Sequence, residues 1–212
     1  MSERPKTNNL EAAEQTAKRY LANLGLAWDE LRGKHVLDIG VLNAEFETAA
    51  RLRGVEVISV DNRVEDGEYA PPTDSRFILA NATKLPVRDL SFDYALGHMS
   101  VMNYREDAYN DEEHIRYIED VLREVCRVLK TDGQFRFTET SLDDSDLQRG
   151  EDDVVPDPTS DAYIDWHMTR EQELLEGIAK RVGFSELRLV AYPDSHPEKE
   201  EDILTYYFNA VK

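Results

Sequence analysis

Residues 36–61 read VLDIGVLNAEFETAARLRGVEVISVD. Val36 to Ile39 form an apolar run that ends at Gly40, Glu45 to Leu52 have helical spacing, and Val55 to Val60 form a second β-rich run closed by Asp61. Gly54 stands where a helix C-terminal cap belongs. Neither run alternates apolar with polar residues, which predicts strands covered on both faces, as in a parallel sheet joined by crossover helices. The stretch is one strand–helix–strand unit, and it sets the class as α/β.

The same alternation extends outward. Leu10 to Leu24 read as an amphipathic helix within an N-terminal helical region over 10–32. Asn62 to Ser75, with Gly67, Pro71 and Pro72, form a loop. Phe77 to Ala80 and Phe92 to Leu96 are short strands. From Glu112 to Leu129 the residues Ile115, Ile118, Val121, Leu122, Val125 and Val128 share one helix face. Asp132 and Gly133 turn that helix into a strand over Gln134 to Glu139. Residues 141–165 are acidic, contain Pro156 and Pro158, and read as an insertion loop. Thr169 and Gln172 form a capping box for a helix ending at Val182. Phe184 to Tyr192 and Ile203 to Val211 close the chain as two strands. The pattern predicts a doubly wound, mostly parallel sheet in a single domain spanning 1–212.

Composition narrows the function. The 212 residues carry 44 acidic and 25 basic side chains, a net charge of −19. Such a field repels phosphate backbones and argues against nucleic-acid binding. No apolar run is long enough for a membrane span, and MSERPKTNNLEAAEQ lacks the apolar core of a signal peptide, so a soluble, cytoplasmic protein is expected. The one cysteine, Cys126, falls in a helical pattern and reads as a buried, inert thiol. Arginine outnumbers lysine 17 to 8. The acidic, lysine-poor balance fits either a high-salt environment or an ordinary acidic protein.

In a doubly wound sheet the ligand lies beyond the carboxyl ends of the strands, where the strand order reverses. The first strand brings Asp38 and Gly40 there, the second Asp61, the third Asn81 and Ala82, and the fourth Gly97 and His98. A carboxylate at Asp61 can accept both hydroxyls of a ribose.

VLDIG, the acidic end of VISVD, NATKLPVRDLSFDYALG and LREVCRVLKTDGQF together resemble the class I S-adenosylmethionine-dependent methyltransferases. The closing pair GFSELRLV and TYYFNAVK is also similar to that family's last two strands. The resemblance implies a seven-stranded sheet in the order 3-2-1-4-5-7-6 with an antiparallel last strand. It implies S-adenosylmethionine as cofactor and a small-molecule or protein methyl acceptor as partner. By position it implies Gly40 and Gly97 beside the methionine part, Asp61 on the ribose, and Asn62, Asn81 and Ala82 around the adenine.

One position departs from the family pattern. Small residues are expected at three alternating positions of the first turn, and here they are Gly40, Leu42 and Ala44. Leucine in a left-handed conformation costs roughly 1–2 kcal/mol, and its side chain would compete with a ligand for space. A methyltransferase-like binding or regulatory protein without catalysis is therefore the alternative expectation. A nicotinamide-dependent oxidoreductase fits less well, since G-x-G-x-x-G is absent. His98 is the candidate catalytic residue, with His167 second, by virtue of titration near neutrality. Tyr104, Tyr109 and Trp166 are candidate pocket aromatics. Asp143, Asp144 and Asp146 lack the spacing of a calcium loop, and no metal is expected.

Overall fold

The computed structural model describes residues 7–40, 45–62, 76–98, 100, 111–138, 161–191 and 206–212. Leu42, Ala44, Tyr104, Tyr109 and the Asp143–Asp146 run lie outside the described residues. Seven strands, β1 (His35–Ile39), β2 (Glu56–Asp61), β3 (Phe77–Leu79), β4 (Phe92–His98), β5 (Leu129–Thr138), β6 (Glu186–Ala191) and β7 (Tyr206–Val211), form one sheet. Its order is β3-β2-β1-β4-β5-β7-β6. β1 pairs in parallel with β2 and β4, while β7 runs antiparallel to both β5 and β6. The expected order and the antiparallel last strand are both present.

The helices are α1 (Thr7–Asn23), α2 (Trp28–Leu31), α3 (Glu45–Leu52), α4 (Asp111–Val128) and α5 (Asp161–Val182). Two apolar clusters cover the faces of the sheet. In the larger, Ile118, Val121, Leu122, Val125 and Val128 of α4 join Leu175, Ile178 and Ala179 of α5 over Phe135, Phe137 and Phe208. These three rings stack at centroid spacings of 4.5 and 5.1 Å. In the smaller, Ala17, Leu21 and Leu24 meet Phe46, Ala49 and Ala50 of α3 and Val36 of β1. Cys126 is buried, which pushes its thiol above the ordinary range.

Three boundaries differ most from the sequence reading. One is β5, which begins at Leu129 and not Gln134, so Asp132 and Gly133 lie within the strand and not in a turn before it. The last helix begins at Asp161, so Thr169 lies inside it and forms no capping box. The buried stripe of α5 runs through His167 and Glu171 before reaching Leu175 and Ile178, and a count of apolar residues passes over those two polar members. The segment 161–165, expected as loop, is therefore helical. The fourth strand extends through His98, so Gly97 and His98 are ladder residues. Gly97 pairs with Ile39 on one side and Phe137 on the other, and His98 pairs with Thr138.

Candidate cofactor site

The strand order reverses between β1 and β4, and the predicted residues gather at the carboxyl ends there. Gly40 follows β1 with φ of 79°, and its N–H donates to the Val60 carbonyl at 2.8 Å. A side chain could not replace its hydrogen. A Cβ there would lie 2.1 Å from Cβ of Ser100, whose hydroxyl donates to the Ile39 carbonyl at 2.8 Å. Glycine thus meets two demands at once, a left-handed backbone and a close crossing of the segment after β4.

Asp38 is 3% exposed, and one of its carboxylate oxygens accepts the Tyr20 hydroxyl from α1. Burial drives its pKa from 3.8 up to about 7; the Tyr20 hydrogen bond opposes that rise, and the charges of Glu47 and Asp61 add to it. The Tyr20 phenol is held well above its usual range, by burial first and by Asp38 second. Glu47, in the first turn of α3, is itself buried; it accepts the Ser59 hydroxyl at 3.4 Å and the Arg76 N–H at 3.2 Å. Three carboxylates from three elements therefore share this end of the sheet.

Asp61 ends β2 half-buried, and its carbonyl accepts the Ala80 N–H at 2.9 Å, tying the ends of β2 and β3 together. Asn62 follows it, exposed. Asn81 turns its side-chain oxygen onto the N–H and hydroxyl of Thr83, at 2.9 and 3.0 Å. That is a side-chain-capped turn, which fixes the loop beside the half-buried Ala82.

His98 is engaged at both ring nitrogens. Asn23 Nδ2 lies 3.3 Å from Nε2, and Thr138 Oγ1 lies 2.5 Å from Nδ1. With Asn23 donating, Nε2 accepts and Nδ1–H donates to Thr138, the neutral tautomer. Burial, then the charge of Arg19, lowers its pKa below 6.5, which agrees with that form. A ring held at both ends orients its neighbours and is poorly suited to remove a proton from an acceptor. His167 is buried on α5, and Trp166 packs against the larger apolar cluster.

Sequence reasoning missed Tyr20, Asn23 and Thr138. The helix α1 carries the first two, and it is fixed by its C-terminal end: the Arg136 guanidinium donates to the Gly25 carbonyl at 2.5 Å and lies 5.5 Å over the Tyr207 ring. Gly25 has φ of 60°, and a Cβ on it would meet that ring at 2.3 Å. The available signal was periodicity. Tyr20 and Asn23 are three apart, flanking the buried positions Ala17, Leu21 and Leu24, so they face the sheet.

Two of the family stretches, LREVCRVLK and the loop LPVRD, meet away from the crevice. Arg127 of α4 donates to the carbonyls of Leu85 and Val87, at 2.9 and 3.0 Å, and to Glu124 and Asp89 at 2.7 and 2.6 Å. Glu124 in turn accepts the Leu85 N–H at 2.9 Å. Arg127 foremost keeps the Glu124 carboxyl below its usual range. The pair binds the loop between β3 and β4 to α4.

Residues 37–137 match the family model described as a methyltransferase domain. Over that domain the chain is similar to the class I S-adenosylmethionine-dependent methyltransferases. A methyltransferase from Thermotoga maritima, described as a possible histamine N-methyltransferase, superposes with a TM-score of 0.54 at 19% identity, over 97% of this chain and 95% of that one. A methyltransferase from Archaeoglobus fulgidus gives 0.52 at 18%, over 96% and 94%. The Haemonchus contortus phosphoethanolamine N-methyltransferase 2, solved with S-adenosyl-L-methionine, gives 0.52 at 17%, over 93% of this chain and 52% of that one. At these identities the likeness to each is one of fold. No curated protein matches the sequence significantly.

Proposed function

We propose that this methyltransferase domain binds S-adenosylmethionine at the β1/β4 switch point and transfers its methyl group to a small-molecule or protein acceptor, as a soluble cytoplasmic enzyme built of one domain. The observation that carries this reading is the convergence of Asp38, Gly40, Asp61 and Gly97 on three adjacent strand ends, with a turn at Gly40 that has no room for a side chain. That turn carries the chain out of β1 through a left-handed glycine, with Ser100 packed against it. Asp61 would accept the ribose hydroxyls, Asn62 and the Asn81–Ala82 turn would flank the adenine, and Gly40 and Gly97 would line the methionine part. The cofactor would supply a methyl group on a sulfonium sulfur. The chain's own contribution is orientation and exclusion of water, since displacement of a positioned methyl needs no covalent intermediate.

A second reading, a methyltransferase-like binding or regulatory protein without catalysis, rests on leucine at position 42, where the family pattern has a small residue. Incubation with methyl-labelled S-adenosylmethionine and panels of amine, hydroxyl and carboxyl acceptors separates the two. Label in an acceptor, lost in Asp61→Ala, supports the enzyme. Neither retained label nor transfer in any panel supports the binding protein.

A further inference from the structure

Asp38 lies between two structures. It stands on β1 two residues before the Gly40 turn, and one carboxylate oxygen accepts the Tyr20 hydroxyl of α1. A carboxylate buried this deeply among like charges tends to take up a proton and become neutral. The ionisable groups that bear on it are Tyr20 on α1, Glu47 on α3 and Asp61 on β2, with His98 on β4 next to Tyr20 and Arg19 acting on His98. Among the described residues, Tyr20 is the group that stabilises the charged form, because a hydroxyl donor favours an anionic acceptor.

We propose that Tyr20 is a positioning residue, whose hydroxyl orients the Asp38 carboxyl and keeps it charged opposite the cationic groups of the cofactor. The inference rests on the cofactor reading above. S-adenosylmethionine carries an ammonium and a sulfonium, so a neutral Asp38 weakens its binding. Tyr20 itself need not touch the cofactor.

Tyr20→Phe isolates the hydroxyl. The ring keeps its packing on Phe46 at 4.7 Å and on His98 at 5.7 Å, so the fold is retained. The first readout is the carbon-13 titration of the Asp38 carboxyl in ligand-free protein. The wild-type midpoint is expected near 7. The variant's midpoint should lie higher by about one pH unit, the worth of one hydrogen bond to a charged group. The second readout is the dissociation constant for S-adenosylmethionine from pH 5.5 to 9. At pH 7 the variant should bind about fivefold more weakly, and the gap should close near pH 9, where both forms are ionised. His98 stays neutral above 6.5 and does not contribute to that window. Asp38→Asn should bind weakly, and the pH dependence it keeps between 6 and 9 should be that of the cofactor's own amino group.

An unchanged Asp38 midpoint in Tyr20→Phe overturns the proposal. So does a loss of affinity by one constant factor at every pH, which is the mark of a merely structural role. If the wild-type protein binds no cofactor at any pH, the cofactor reading fails, and the ligand-free titration still decides whether Tyr20 governs Asp38.

Discussion

The two ends of the central strands use charge in opposite ways. At the loop between β3 and β4, Arg127 meets Glu124 and Asp89 in a half-exposed cluster where each charge has an opposite partner and each loop carbonyl a donor. At the carboxyl ends of β1 and β2, Asp38, Glu47 and Asp61 gather, with the Tyr20 phenol bonded to the first and the neutral His98 imidazole edge-on to that phenol. The first arrangement stabilises a loop. The second holds unfavourable charge where a ligand would sit, a pattern that marks functional sites. The contrast shows that one set of family motifs serves both purposes, tying a loop down at one end of the sheet and gathering carboxylates at the other.

The largest expected effect tests the poised end. Asp38 has a folded pKa raised from 3.8 to about 7. Its stabilising contribution is therefore complete below pH 4 and is lost as pH rises toward 7. Asp38→Asn should be more stable than wild type at pH 8, by up to about 4 kcal/mol, with no difference near pH 4. Thermal denaturation across that range checks it, and equal curves at pH 8 would break the contrast.

Arg127→Ala addresses the other end. It strands the Leu85 and Val87 carbonyls and the Glu124 carboxylate, and should cost about 2–3 kcal/mol in urea denaturation at any pH from 6 to 9. Folded variant should retain wild-type affinity for S-adenosylhomocysteine. A selective loss of that affinity would mean the motif serves the ligand after all.

Gly40→Ala combines a left-handed alanine with displacement of Ser100, and should cost about 1–2 kcal/mol in the same assay, together with cofactor affinity. The smallest effect is expected at the surface. Arg53 joins Glu14 at 2.6 Å and lies 5.0 Å over Trp28, bridging α1 and α3 in solvent. Arg53→Ala should lower stability by about 0.5 kcal/mol, and less in high salt.

Much of the fold was legible because parallel strands and the α4 face have unambiguous periods. Ile118, Val121, Leu122, Val125 and Val128 are all fully buried, as their spacing predicts. The start of α5 was not, since His167 and Glu171 carry the buried face there and polar residues do not register as core. The positions of Gly40 just past β1, Asp61 at the last residue of β2 and Gly97 near the end of β4 were legible from the strand pattern. Tyr20, Asn23 and Thr138 were not, because their roles arise from contacts across 18, 75 and 40 residues of sequence. The imidazole of His98 was legible as a candidate, while its two partners, Asn23 and Thr138, could only come from the folded chain.

Calorimetric titration with S-adenosylhomocysteine of the wild-type protein and of Asp61→Ala, at pH 8, tests the central claim most directly. The account predicts one site with a dissociation constant on the order of micromolar, weakened about a hundredfold or more in the variant. No heat of binding to the wild-type protein, or equal binding to both, would contradict it.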